Sequence, residues 1–221
     1  MLKMWWAALL DIIYPPKCPI CRAVIEEHGA LCRVCLSKIL SIRNINMTAH
    51  KLRYLDSCLV LCDYTGGAKK MIHDIKFRAN FKTALNLEWM LESFVRNSLF
   101  INIDIVTAVP LHAGRITERG FNQTEKIFKH WVIKRGFNWQ DYVLVRMRPT
   151  KPQWELQLSE RRKNIRGAFA VSHPDSIKGK NILIVDDIFT TGITMDECAK
   201  VLKISGAKSV RGLAIASGTD N

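Results

Sequence analysis

Two adjacent acids, Asp186 and Asp187, stand two residues ahead of the turn Thr190-Thr191-Gly192-Ile193-Thr194. Carboxylates hold sugar hydroxyls or a hard cation such as Mg²⁺. A threonine-rich turn that opens a helix offers hydroxyls, closely spaced N–H groups and the positive end of a helix, and these suit a phosphate. Acids on one side and amides on the other outline a phosphorylated pentose. Asp-Asp alone is an ordinary strand-end pair, and Thr-Thr-Gly alone is an ordinary cap and turn. The ligand is suggested by the block as a whole.

A second cluster is metal-binding in type. Cys18-x-x-Cys21 and Cys32-x-x-Cys35 are separated by ten residues. Each pair turns the backbone so that two thiolates face one tetrahedral metal, and two pairs complete a Cys₄ zinc site. Pro19 and Gly29 fall where tight turns are needed. Four thiolates leave no open position for a substrate, so the site is structural. A ribbon this small draws its folding free energy from the metal. The other three of the seven cysteines, Cys58, Cys62 and Cys198, lie in apolar patterns. They read as small buried hydrophobes in a reducing compartment.

Two basic stretches complete the chemistry. After Val109-Pro110 the chain reads LHAGRITERGFNQ. Leu111 and His112 open it, Gly114 and Gly120 let the backbone approach a ligand, and Arg115 and Arg119 bring charge. It reads as a basic loop suited to a second anion such as pyrophosphate, or as an ordinary βα loop with solvated arginines. The most basic segment carries Arg146, Arg148, Lys151, Arg161, Arg162, Lys163 and Arg166, with Trp154 among them. Cations beside an exposed ring suit single-stranded nucleic acid. They also suit a lid over a phosphorylated substrate or a solvated helix face.

These groups need elements to position them. Ile182–Val185 is an apolar run that reads as a buried parallel strand, followed by a helix from Thr194 to Ile204. Gly206 stops that helix. Further strands are expected over Ser57–Tyr64, Asp104–Val109 and Ser209–Ala216, with a short edge strand at Ala168–Val171. Helices are expected over Ala68–Phe77 and Phe81–Leu99, from near Asn122, and from an N-cap at Ser159. Leu36–Arg53 reads as a short helix and a linker. The pattern is α/β with a mostly parallel sheet, whose ligands sit outside the carboxyl ends of the strands.

The 221 residues allow one α/β domain and a small appendage, and 48% hydrophobic content allows a core. The 33 Lys and Arg against 20 Asp and Glu leave +13, which favours a polyanionic partner. The stretch Met1–Tyr14 is apolar but holds Lys3 and Asp11. It is too short to span a bilayer and lacks a small-residue cleavage site. Trp5 and Trp6 could touch a membrane interface, but an amphipathic helix packed on its own protein, in the cytoplasm, is the favoured reading.

Taken together, YPPKCPIC, LCRVC, Lys76-Phe77, VPLH, RGFNQ, Gln153, Leu156, Arg161, Asn164, Gly167–Phe169 and VDDIFTTGIT cover the chain from Tyr14 onward. They resemble the ComF family of competence proteins. Arg22 stands where many members have glycine, and Ile193 where a small or polar residue is frequent. The resemblance implies a type I phosphoribosyltransferase-like domain over residues 46–221, preceded by a Cys₄ zinc finger within residues 1–45. It implies a 5-phosphoribosyl-1-pyrophosphate (PRPP) site with Mg²⁺, in which Asp186 and Asp187 meet the ribose hydroxyls and Phe189–Thr194 hold the 5′-phosphate. It also implies handling of incoming single-stranded DNA in the cytoplasm. A competence helicase or other transformation proteins are the expected partners, through which the protein would reach the membrane. The alternative is an active Mg²⁺-dependent transferase, passing the phosphoribosyl group to an unidentified acceptor.

Overall fold

The computed structural model describes residues 14–150 and 156–218. The expected N-terminal helix and the side chains of Lys151, Gln153 and Trp154 lie outside the described residues.

A five-stranded sheet organises the chain. Its strands are β1 (Leu40–Asn44), β2 (Ser57–Asp63), β3 (Ile105–Ala108), β6 (Asn181–Phe189) and β7 (Ser209–Ser217). Their order is β1-β2-β7-β6-β3; β1 is antiparallel to β2, and the other pairs are parallel. Strands β4 (Leu144–Arg146) and β5 (Phe169–Val171) make a separate antiparallel hairpin. Helices α2 (Gly66–Arg78), α3 (Lys82–Phe94) and α5 (Gln123–Lys134) contribute to one core beside the sheet. Helix α7 (Ile193–Ile204) and the hairpin contribute to a second. Buried on both sides, β6 and β7 read as near-continuous apolar runs, as parallel strands do.

Register creates the opening for a site. Ala108 of β3 pairs with Val185 of β6, and β3 ends there. β6 continues to Phe189, paired with β7 alone. The flank of β6 from Asp186 onward is therefore uncovered at the carboxyl ends of the strands, where ligands collect in such sheets.

Several elements differ from the sequence reading. The strand runs through both acids to Phe189 instead of stopping at Val185, because β7 pairs along it. Leu36–Arg53 contains the end of α1 (Arg33–Ile39) and all of β1, an edge strand too weakly patterned to announce itself. The basic loop after Pro110 is largely helix: α4 (Ala113–Arg119) is capped by His112, whose Nδ1 accepts from the Gly114 N–H at 3.2 Å. The long helix from Phe81 breaks after Phe94 and resumes as a 3₁₀ turn at Asn97–Phe100. Helix α6 (Leu158–Ile165) has Gln157, not Ser159, at its N-cap, with Glu160 accepting from the Gln157 N–H. Phe169–Val171 pairs with β4 and is not an edge of the main sheet.

The cysteine-bearing segment sits on α2 and α3. Ile20 fills the space over Gly67, Lys70 Nζ donates to the Pro19 carbonyl at 2.8 Å, and Asn86 Nδ2 donates to the Gly29 carbonyl at 2.8 Å. Among the described residues, no helix is long and apolar enough to cross a membrane.

Candidate functional site

A cavity of about 500 Å³ lies over the uncovered flank of β6, within the usual size range of ligand sites. Its floor holds Asp186 and Asp187. The turn after β6 contributes Thr190 and Thr194, and the far side contributes Leu111, Arg115 and Arg119. Helix α4 sets the two arginines four residues apart, on one face. The structure thus gathers groups that lie roughly 70 residues apart in the chain.

The two acids differ in environment. Asp187 is 3% exposed and forms an ion pair with Lys76 of α2, Nζ to Oδ2 2.7 Å. Asp186 is half-buried; its Oδ1 accepts from the Asp187 N–H at 2.8 Å and from Thr124 Oγ1 at 3.3 Å. Burial and then the charge of Asp187 push its carboxyl up to about 8, against the pull of Lys76. Five cations, Lys69, Lys76, Arg115, Arg119 and Arg146, line the cavity against these two carboxylates. Such a lining favours an anionic guest.

Arg119 donates to Gln123 Oε1 and lies over the Phe77 ring, 5.7 Å from its centre. Burial depresses its guanidinium below the usual range, with Asp187 opposing. Burial depresses Arg146 as well, and its Nε finds no hydrogen-bond partner among the described residues.

The turn is shaped by Gly192. Its φ is +72°, and an added Cβ would sit 2.5 Å from Phe189 Cζ and 2.6 Å from Leu52 Cδ1. Only glycine tolerates both constraints. Phe189 and Ile193 are 1% and 6% exposed and pack into the core, so a ligand can use only their backbone. The first turn of α7 leaves N–H groups without an intrahelical acceptor, as any helix start does.

The expected nucleic-acid residues separate. Arg146 lines the cavity with the acids. Arg148 donates to the carbonyls of Asn164 and Arg166 at 2.9 and 2.6 Å, which ties it to the end of α6. Arg161 donates to the Leu156 carbonyl at 3.1 Å. Arg162 reaches the Lys51 carbonyl at 2.7 Å, and Lys163 and Arg166 are exposed on the same side.

Sequence reasoning gave no role to Lys76, which closes the cavity from a different helix, or to Asp196. Asp196 is 5% exposed, and its Oδ1 accepts from the N–H groups of Arg53, Tyr54 and Leu55 at 3.0, 2.8 and 3.1 Å. It anchors residues 45–56, the strap between β1 and β2, behind the Gly192 turn. Its one sequence signal is a carboxylate in the first turn of a helix.

The Sγ atoms of Cys18, Cys21, Cys32 and Cys35 all lie within 4.8 Å of one another, and those of Cys21 and Cys32 are 3.6 Å apart. A tetrahedron with Zn–S bonds of about 2.3 Å has edges of about 3.8 Å, so the four thiols fit zinc. Cys58, Cys62 and Cys198 are fully buried, and burial raises all three thiols.

Comparison with known proteins agrees with both parts. A double zinc ribbon domain matches residues 9–45, and a phosphoribosyl transferase domain matches residues 141–219. The DNA utilization protein YhgH of Salmonella typhimurium is 29% identical over 202 residues, covering 88% of this chain and 87% of that protein. Competence protein F of Haemophilus influenzae is 24% identical over 218 residues, covering 88% and 94%. Competence protein ComFC of Streptococcus pneumoniae is 34% identical over 108 residues, covering 47% and 43%. A zinc ribbon and a phosphoribosyltransferase domain match its two parts, and along most of its length the chain is similar to competence and DNA utilization proteins.

Proposed function

We propose that the protein handles single-stranded DNA in the cytoplasm during DNA uptake and binds PRPP with Mg²⁺ in the cavity over β6. The observation that carries the PRPP reading is the joining of Asp186 and Asp187, the Thr190–Thr194 turn and the Arg115–Arg119 face in one basic cavity. The acids suit the ribose hydroxyls, the turn suits the 5′-phosphate, and the arginines suit the pyrophosphate. Asp186 and Asp187 are also the carboxylates that could meet Mg²⁺, a hard cation that takes oxygen ligands. The +13 charge and the exposed cations of α6 support the nucleic-acid half. The test is thermal unfolding with and without Mg–PRPP, because a ligand that binds only the folded state raises the midpoint. Wild type should rise and Asp187→Ala should not; equal responses would remove the cavity from consideration.

Transfer of the phosphoribosyl group is the second reading, favoured by the arginines facing the acids. Loss of pyrophosphate builds positive charge on the ribose and negative charge on the leaving group. The carboxylates and the Arg115–Arg119 pair, which line the same cavity, suit these respectively. Release of pyrophosphate in the presence of candidate acceptors tests it.

A further inference from the structure

A second basic hollow, of about 480 Å³, lies behind the phosphate turn, between the strap, α6 and α7. Six cations line it: Lys51, Arg53, Arg162, Lys163, Arg166 and Lys200. Its two carboxylates are already engaged. Asp196 holds three strap N–H groups, and Glu197 accepts from the Gly167 N–H at 2.9 Å and pairs with Lys200 at 3.3 Å. Tyr54 adds a ring beside Lys200, whose Nζ lies 6.0 Å from its centre. Closely spaced cations beside an aromatic ring are what a flexible single strand requires: charges track phosphates, and a ring can take a base.

This hollow and the PRPP cavity share one wall. Ile193, the first residue of α7, lines the hollow, and Thr194 beside it lines the cavity. The strap joins them again from behind, with Leu52 against Gly192 and the His50 ring edge-on to Phe189 at 5.4 Å. An anion on either side therefore draws on the same helix N-terminus, which carries about half a positive charge. Asp196 fixes the strap between them, so binding on one side has little left to order for the other. What remains is repulsion between two anions on either side of a shared wall, which salt screens over a Debye length of about 8 Å at physiological ionic strength.

We propose that the hollow between the strap, α6 and α7 is the track for single-stranded nucleic acid, and that a strand bound there and a phosphoribosyl ligand in the cavity antagonise each other. The antagonism rests on the PRPP reading above; the track does not. Linkage requires the factor to be equal in both directions.

The experiment uses the full chain, a labelled oligothymidylate of about 20 nucleotides read by anisotropy, and thermal unfolding to follow Mg–PRPP. Saturating Mg–PRPP should weaken the oligonucleotide about fivefold, and saturating oligonucleotide should weaken Mg–PRPP by the same factor. The effect should shrink as salt rises. Arg166→Glu/Lys200→Glu should lose at least about tenfold in oligonucleotide affinity while Mg–PRPP still raises its unfolding midpoint. Unchanged oligonucleotide binding in that variant overturns the track. Equal binding of a polyglutamate peptide overturns the choice of nucleic acid over an acidic protein. Two ligands that bind independently overturn the antagonism. An oligonucleotide that needs the hollow, in a protein that ignores Mg–PRPP, removes the PRPP reading and the antagonism but leaves the track.

Discussion

Lys76 Nζ lies 2.7 Å from Asp187 Oδ2, and this pair joins α2 to the end of β6 across the floor of the cavity. Asp187 is buried, so its charge depends on that ammonium for compensation. Breaking a buried pair from one side typically costs 3–5 kcal/mol. Lys76 keeps some solvent contact, so Lys76→Met should cost about 3 kcal/mol. Lys76→Met/Asp187→Asn should recover more than half of that loss. Urea unfolding of the four proteins measures the coupling, and strictly additive losses would show that the pair does not act as a unit.

Asp186 sets a pH dependence. Its folded pKa is raised to about 8 by burial and by Asp187. Below the unfolded carboxyl value of about 4 both states hold the proton, and the group contributes nothing to the slope. Between about 4 and about 8 the unfolded state gives up the proton and the folded state keeps it. Stability attributable to Asp186 therefore falls as pH rises through that window. Asp186→Asn should flatten the decline while keeping the Oδ1 that accepts from the Asp187 N–H. Wild-type and variant midpoints that run parallel from pH 4.5 to pH 8 would show that the carboxyl titrates normally.

Binding should expose the same proton. A cation or a row of ligand hydroxyls favours the ionised acid, so Mg–PRPP should release a proton at pH 7. Calorimetry in two buffers of different ionisation enthalpy measures it. The enthalpy should differ between buffers for wild type and not for Asp186→Asn. Identical wild-type enthalpies would place the ligand away from Asp186.

Legibility in the sequence followed locality. The Cys₄ set and the Asp186–Thr194 block were readable because each is a short run whose spacing the ligand itself dictates. Lys76 was not, since only the tertiary fold brings the end of α2 to β6. Aspartate is poor in strands, so the sequence pattern ends the strand before Asp186, but pairing with β7 overrides that preference. Helix α4 carries a loop-like sequence pattern: Gly114 lowers helix propensity, and the stretch leaves no buried apolar stripe. The basic segment showed its charge but not its direction. Backbone carbonyls claim Arg148 and Arg161, the cavity claims Arg146, and the outer face keeps Lys163 and Arg166.

Gly192→Ala tests the proposed phosphate-holding role of the turn after β6. The substitution meets a left-handed φ and two side chains at 2.5 and 2.6 Å. Overpacking and strain together should cost about 2 kcal/mol or more and abolish stabilisation by Mg–PRPP. Adding Leu52→Ala opens space on one side and should restore part of the stability without restoring the turn, because φ and Phe189 still object. A single variant that keeps the full Mg–PRPP shift would mean that the turn does not hold the phosphate.

Arg22 tests the zinc ribbon. It follows Cys21 at φ +68°, a conformation that costs a non-glycine residue about 1–2 kcal/mol. Its N–H donates to the Cys18 carbonyl at 2.9 Å, so the turn between the first two thiols depends on that conformation. Arg22→Gly removes the strain but adds freedom to the unfolded chain, which offsets part of the gain. The net effect should be a stabilisation of about 0.5–1 kcal/mol and a slower loss of zinc to a chelator. Glycine that speeds zinc loss would show that the Arg22 side chain, and not the backbone alone, supports the ribbon.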